Sequence, residues 1–354
     1  MSLLRFAVVG CGRIAQRYAS LLTGDVKGAQ LCAVCDTVEE RRNEVAERYG
    51  LPAYADMHEM AEKEEPDVFC ILTPSGLHAE HFMELTGYGK DIIVEKPMAL
   101  TVEDAEVMID AAERNGHRLF VVKQNRYNLP VMKLREAVEA GRFGRKVLGT
   151  VRVRWCRTQE YYDMAEWRGT WALDGGVLAN QSSHHLDLLE WMMGDVVKVS
   201  ARGKAFLVDT ETEDTAVATV EFEDGSFGVV EVTTAARPKD QEGSISILGE
   251  TGLVEIGGFA VNSMRLWQFT EPSEGDAEVL MNYSENPPNV YGFGHKRYLE
   301  DVVRCINEGK EPVIDGHEGL KSLRFINALY ESMETGEEVV LNGNHFTHSR
   351  LGRK

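Results

Sequence analysis

The stretch Leu3-Leu4-Arg5-Phe6-Ala7-Val8-Val9-Gly10-Cys11-Gly12-Arg13-Ile14-Ala15 decides the fold. An apolar run leads straight into Gly-x-Gly-x-x-Ala, and the pattern predicts a helix from Arg13 to Leu22. Gly10 allows a tight turn, Gly12 lets the backbone approach a pyrophosphate, and small Ala15 lets helix and strand pack closely. The helix start at Arg13 and Ile14 offers free N–H groups and a positive dipole end to phosphates. A second apolar run, Gln30 to Asp36, ends in an acid. A carboxylate there accepts hydrogen bonds from an adenosine ribose and repels a 2′-phosphate, which favours NAD over NADP. Arg41 and Arg42 fall inside the next predicted helix and weigh little against that preference. The competing reading is an ordinary strand–turn–helix, and the complete strand–glycine–helix–strand–Asp unit argues against it.

Working outward, the first 125 or so residues alternate strand-like and helix-like stretches, as a doubly wound parallel sheet requires. Strands are predicted at Asp67–Leu72, Asp91–Val94 and Arg118–Val122, with helices at Val38–Tyr49, His78–Thr86 and Val102–Asn115. Gly10, Asp36, Thr73-Pro74, Glu95-Lys96-Pro97 and Lys123-Gln124 each directly follow an apolar strand. In a parallel sheet these ends share the edge where open α/β sheets bind ligands. Proline also restricts the backbone of Lys96 before it.

After a predicted helix at Pro130–Ala140 the pattern changes to long β-rich stretches, several alternating apolar and polar, as in Val151-Arg152-Val153-Arg154-Trp155. One helix, predicted as continuous from Val177 to Met193, interrupts them. Two more, Gly294–Asn307 and His317–Gly336, close the second half, and the polar tail from Gly343 is expected to fray. The expected division is a dinucleotide-binding domain over 1–125 and a second, substrate-binding and oligomerisation domain over 126–354.

At 354 residues the chain is long enough for two domains. Its 38 basic and 57 acidic side chains give a formal net charge of −19, which argues against a nucleic-acid partner. An anionic ligand is then repelled at long range, and its pocket must gather positive groups locally. No apolar stretch approaches the roughly 20 residues of a membrane span, and the first residues do not read as a signal peptide. Six cysteines in such a length fit reduced thiols and a cytoplasmic location. Cys32 and Cys35 form C-x-x-C within a predicted strand, where they point to opposite faces, against a redox or zinc role.

The segment Asn180-Gln181-Ser182-Ser183-His184-His185-Leu186-Asp187 places Asn180 and His184 four apart, on one face of the predicted helix. Just upstream lies Trp167-Arg168-Gly169-Thr170-Trp171-Ala172-Leu173-Asp174-Gly175-Gly176, rich in aromatics and glycine. Without context, His184 and His185 read as two partly buried helix histidines with hydrogen-bond partners. Metal binding through His184 with Asp187, or His78 with His81, lacks a third ligand at familiar spacing, so no metal is expected.

Gly10-x-Gly12, Thr73-Pro74-x-x-x-His78, Glu95-Lys96-Pro97 and His184-x-x-Asp187 together resemble the glucose–fructose oxidoreductase/inositol dehydrogenase family, across essentially the whole chain. The resemblance implies an N-terminal Rossmann domain and a C-terminal α+β domain with an open, mostly antiparallel sheet that packs into dimers or tetramers. It maps the family's usual catalytic pair onto Lys96 and His184. It also places Gly10, Gly12, Arg13, Ile14, Asp36, Thr73, Pro74, His78, Glu95, Lys96 and Gln124 around NAD. Lys123-Gln124-Asn125-Arg126-Tyr127-Asn128 and Trp167 through Gly194 are similar to the bacterial UDP-N-acetyl-D-glucosaminuronate 3-dehydrogenases. Those enzymes oxidise a sugar C3 hydroxyl in the synthesis of diacetamido-mannuronate sugars of lipopolysaccharide, and some recycle NADH with 2-oxoglutarate. Many relatives carry Asp where this chain has Asn180, which cannot take a proton and can only orient the substrate or the histidine.

The expected chemistry is oxidation of a carbinol, whose hydroxyl proton needs a base near neutral pKa. His184 is the expected base; Lys96 is the hydroxyl ligand and relay, though the two roles can be exchanged. Arg168, with Thr170, is the expected carboxylate ligand, and Arg157, Arg126 and Tyr161 are candidates for the uridine diphosphate end. Two rivals stand beside this: a dehydrogenase of an uncharged sugar or polyol, and a non-catalytic NAD-sensing regulator on the same fold.

Overall fold

The computed structural model describes residues 3–287, 292–341, 343 and 345–353. The chain divides into two compact units: Met1–Val122 with Lys296–Leu320, and Lys123–His295 with Lys321–Lys354. No helix among the described residues is long and apolar enough to cross a membrane.

In the first unit the strands are β1 (Leu4–Val9), β2 (Ala29–Cys35), β3 (Ala53–Tyr54), β4 (Val68–Ile71), β5 (Asp91–Val94) and β6 (Leu119–Val121). The helices between them are α1 (Ala15–Ser20), α2 (Glu39–Tyr49), α3 (Met57–Glu64), α4 (His78–Leu85) and α5 (Val102–Asn115). All six strands are parallel, in the order β3-β2-β1-β4-β5-β6. This is the doubly wound order, and its direction reverses between β1 and β4, where such sheets open toward a ligand. The nearly continuous apolar runs of β1, β4 and β5 suit strands covered on both faces. Thr101 caps α5 by accepting the Asp104 N–H at 3.1 Å, and Gly116 ends it at φ 69°.

The predicted Arg13–Leu22 helix starts later than its sequence pattern. Residues 12–14 are used in the glycine turn, with Ala15 N donating to Gly12 O at 3.1 Å, and Leu21–Asp25 continue α1 as a wider π-helical turn. The sequence places everything beyond residue 125 in the second domain, whereas Lys296–Leu320 packs with the first unit. The reason is local: Val121 N donates to Ile314 O at 3.1 Å, and a Cβ on Gly28 would stand 3.1 Å from Val303 Cγ1.

The second unit carries α6 (Leu129–Glu139), β7 (Lys146–Arg154), α7 (Gln159–Asp163), α8 (Ser183–Met193), β8 (Val196–Lys204), β9 (Thr215–Phe222) and β10 (Phe227–Thr233). After these come β11 (Glu242–Gly249), β12 (Gly252–Gly257), β13 (Ser263–Phe269) and α9 (Val279–Asn282). Helices α10 (Gly294–Glu308) and α11 (Gly316–Thr335) and strand β14 (Val339–Val340) complete the chain. The eight strands run in the order β13-β12-β11-β7-β10-β9-β8-β14, antiparallel except for β10 beside β7. Alternation along β9 and β10 gives one buried and one wet face. Helix α8 covers the buried face at two glycines. A Cβ on Gly149 would meet Met193 Cγ at 2.6 Å, and one on Gly243 would meet His185 Nε2 at 2.9 Å.

Two segments differ from the sequence expectation. The single helix Val177–Met193 is a π-helical turn, Val177–Gln181, and then α8, separated at Ser182. Ser182 donates both its N–H (2.8 Å) and its hydroxyl to Val177 O, which closes the chain into the wider turn. Asn180 and His184 therefore do not share a regular α-helical face at a spacing of four. The tail from Gly343 is pinned rather than frayed over its described residues. His348 N and Ser349 N donate to Glu331 Oε2 at 2.6 and 2.7 Å, Gly352 N donates to Trp171 O at 2.8 Å, and Leu351 is buried.

Candidate active site

In the first unit, Gly10 has φ 99°, and a Cβ there would lie 2.8 Å from Leu72 C and Thr73 N. Only glycine lets the ends of β1 and β4 approach so closely. Around Gly12 a Cβ would meet nothing within 4 Å, so the backbone faces open space. Asp36, after β2, accepts the Cys11 N–H at 2.7 Å and the Val38 N–H at 2.8 Å, one on each oxygen. An ionised carboxylate has about four acceptor positions, so capacity remains for a ribose. Arg13 is exposed and Ile14 half-buried at the turn before α1. Arg42 reaches back from α2 to the Asp36 and Thr37 carbonyls, at 3.4 and 3.3 Å.

Further along the same edge, His78 is buried between two carbonyls, Thr73 O at 2.9 Å and Pro97 O at 2.8 Å. Burial holds its pKa below the ordinary value. A neutral ring donates to one of these carbonyls and packs its other nitrogen near the second, so His78 lies between the segments after β4 and β5, and Pro74 sits at the start of the same turn. Thr73 Oγ1 lies 2.9 Å from His81 Nδ1. Glu95 is buried; its carboxylate accepts the Tyr18 hydroxyl at 3.2 Å and the Lys96 N–H at 3.0 Å. That places Glu95 under the backbone of half-buried Lys96. Cys32 and Cys35 are free and buried. Burial, first among the causes, pushes their thiols up to about 11 and 12, and Cys32 Sγ donates to Phe6 O at 3.1 Å.

In the second unit, Gln124 is buried, and its Oε1 has no hydrogen-bond partner among the described residues. Such an orphaned acceptor is what a ligand donor completes. Arg126 binds Asp187 bidentately, at 2.9 and 2.7 Å, and lies 4.7 Å from the centre of the Trp191 ring. Lys123 Nζ is 3.1 Å from the same carboxylate. Burial alone would raise the Asp187 carboxyl, but Arg126 and Lys123 hold it below its usual range. Burial conversely lowers Lys123 despite Asp187. This network anchors α8 to the segment following β6, and the sequence assignment of Arg126 to a diphosphate is at odds with that engagement.

Arg157, Tyr161 and Arg168 form a stack. The guanidinium of Arg157 is 5.4 Å from the Trp155 ring centre and 5.3 Å from that of Tyr161. That of Arg168 is 4.3 Å from Tyr161 and 4.7 Å from Trp167. Arg157 is paired with Asp240 at 2.9 Å. Among the described residues Arg168 has no carboxylate partner, and its buried Nε has no acceptor. Thr170 departs from its expected role: its hydroxyl donates to Trp167 O at 2.8 Å and so holds the turn. His184 is buried at the start of α8, and Asn180 donates through Nδ2 to Asp174. Beside them Glu213 accepts the Leu178 N–H and the Tyr330 hydroxyl, both at 2.9 Å, and burial pushes it up to about 7. The sequence reading missed Asp174, Glu213 and Tyr330; an acid next to Gly175-Gly176 was the one local signal.

A sheet that opens at a glycine turn, with a fixed acid after β2, is a dinucleotide site, and the close approach at Gly10 and open space at Gly12 fit NAD. The chain belongs to the Gfo/Idh/MocA oxidoreductase family: residues 4–123 match its NAD-binding Rossmann fold and residues 135–341 its C-terminal alpha/beta domain. Among solved structures it resembles the WlbA dehydrogenase from Bordetella pertussis in complex with NADH and UDP-GlcNAcA. The two are 40% identical, with a TM-score of 0.92 over 96% of this chain and 98% of that one. The WlbA enzyme from Chromobacterium violaceum, with the same two molecules, gives 40% identity and a TM-score of 0.91 over 98% of both chains. Myo-inositol 2-dehydrogenase of Thermotoga maritima is 26% identical over 96% of this chain and 98% of its own length.

Proposed function

We propose that this protein oxidises the C3 hydroxyl of UDP-N-acetyl-D-glucosaminuronate to the 3-keto sugar with NAD, as a step toward diacetamido-uronate sugars of lipopolysaccharide. The observation that carries the reading is Arg168: a guanidinium over two aromatic rings, with no carboxylate partner among the described residues of a chain of net charge −19. It is the planar, bidentate donor that a uronate carboxylate requires. Likeness at 40% identity to proteins solved with UDP-GlcNAcA supports the same substrate. Tyr161, beside Arg168, remains a candidate for the uridine diphosphate end, and Arg157 could serve there only by sharing its guanidinium with Asp240.

Residues 1–125 serve NAD and 126–354, apart from the Lys296–Leu320 stretch that packs with the first unit, the sugar nucleotide. Gly10, Gly12, Arg13 and Ile14 take the pyrophosphate, and Asp36 the ribose. Thr73, Pro74, His78, Glu95 and Gln124 line the cofactor or hold its surroundings. NAD, when bound, supplies the hydride acceptor. The chain's own task is the proton. An imidazole nitrogen of His184 takes it from the C3 hydroxyl, the Lys96 ammonium stabilises the oxygen as negative charge develops, and Asn180 orients the hydroxyl. The protein works in the cytoplasm as a homodimer or homotetramer, where free thiols such as Cys11 and Cys70 stay reduced. In a second half-reaction 2-oxoglutarate offers Arg168 another carboxylate.

The experiment is NADH formation, followed by near-ultraviolet absorbance, with UDP-N-acetylglucosaminuronate, UDP-N-acetylglucosamine and myo-inositol. Turnover confined to the uronate supports the reading. Equal or faster turnover of inositol replaces it with a polyol dehydrogenase, the activity of relatives such as the Thermotoga enzyme.

A further inference from the structure

The carboxylate of Asp174 is 1% exposed and bridges two segments that carry different parts of the chemistry. Its Oδ2 accepts the Gly169 N–H at 2.8 Å, and its Oδ1 accepts from Nδ2 of Asn180. Gly169 directly follows Arg168 and has φ 66°; a Cβ there would stand 2.8 Å from Thr210 Cγ2. The Asp174 bond thus ties the loop at a point where its backbone has little choice of path. Thr170 O accepts from both Asp174 N at 3.2 Å and Gly175 N at 2.8 Å, so the loop closes on itself with Asp174 at its base.

The bridge also decides which way the Asn180 amide faces. With Nδ2 donating to a carboxylate, Oδ1 lies on the other branch of the amide, the branch that can accept a hydroxyl proton. Turned over, the amide would set its oxygen against the buried Asp174 carboxylate and leave that acceptor without its donor, which is costly. We propose that Asp174 is a positioning residue that holds the Asn180 amide in its hydroxyl-accepting orientation and keeps it in register with the carboxylate-reading Arg168. This rests on the uronate dehydrogenase reading.

The test exploits the two-donor geometry. Asp174→Asn keeps the shape but can accept from only one of Gly169 N and Asn180 Nδ2, since the substituted side chain carries a donor nitrogen in place of one acceptor oxygen. The double variant Asp174→Asn with Asn180→Asp restores both bonds: the amide nitrogen introduced at position 174 donates to the carboxylate introduced at position 180. For Asp174→Asn we expect kcat on UDP-N-acetylglucosaminuronate to fall about 10- to 100-fold, the scale of a misplaced reacting group. NADH affinity should stay unchanged. The double variant should recover to within about fivefold of the parent, a rescue that a packing role alone would not give. In case Asp174→Asn does not fold, Asn180→Asp alone is the second reference: it opposes two carboxylates, and adding Asp174→Asn should raise its kcat. An Asp174→Asn enzyme within about threefold of the parent, or no gain in the double variant over either single variant, overturns the role of Asp174. If the parent does not oxidise the uronate at all, the functional reading falls with it.

Discussion

Arg168→Met tests the substrate assignment most directly. Methionine keeps an unbranched side chain between Tyr161 and Trp167 but removes the charge and the fork. Removing one member of a hydrogen-bonded charge pair costs about 2–5 kcal/mol when the pair is fully desolvated. Arg168 is half-buried, so the lower end applies. At about 1.4 kcal/mol per tenfold, that is a loss of roughly 30- to 100-fold in kcat/KM for the uronate. The variant also loses two cation–π contacts, each worth about 0.5–1 kcal/mol. Those contacts do not depend on the sugar's C6 group, so they cancel when the uronate is compared with UDP-N-acetylglucosamine. The quantity to measure is therefore the ratio of kcat/KM for the two sugar nucleotides in both proteins. The preference should collapse by roughly 30-fold or more. An unchanged ratio, whatever happens to absolute rates, would show that the carboxylate is read elsewhere.

Asp36→Ser with Thr37→Arg should narrow the preference for NAD over NADP in a binding titration, and overall NAD affinity should fall too, because Asp36 also holds the Cys11 N–H. Lys96→Met and His184→Ala should each lower turnover by at least about 10²-fold, while His184→Ala retains NADH binding by fluorescence. His185 is fully buried, and burial lowers its pKa from 6.5 to about 3. The unfolded chain binds that proton more readily, so stability is intact above pH 6.5 and drains away as pH falls toward 3. His185→Phe, which preserves the edge contact with Trp155, should flatten melting temperature against pH over that window; an unchanged slope would refute the assignment.

The parallel sheet was legible because buried strands read as unbroken apolar runs and their ligand-facing ends as the polar residues just beyond. Gly10, Asp36 and Lys96 were singled out that way, and the structure places each just after its strand. The second unit was legible as a sheet but less so as a site. Periodicity in residues 177–193 is helical throughout. The break at Ser182 comes from its own backbone and hydroxyl bonding to Val177 O, beside the Glu213 carboxylate, 35 residues beyond Leu178, that takes the Leu178 N–H. The bond to Glu213 is too distant in sequence to leave a local pattern, and the apolar spacing alone does not distinguish the five-residue closure at Ser182 from a regular helical turn. Arg126 shows the converse limit: a basic residue at a ligand-facing strand end looks like a phosphate ligand until its carboxylate partner, 61 positions away, is seen.

Cys11 stands between the two glycines of the nucleotide turn, 5% exposed, with its sulfur directed at Cys35 O and its thiol pushed up to about 12, first by burial and then by Asp36. A thiol so protonated is chemically silent at neutral pH, since the thiolate is the reactive form. Its reactivity would return only if the turn opened far enough to admit water. Thiol labelling of Cys11 would therefore report any opening of the nucleotide turn from a position inside it.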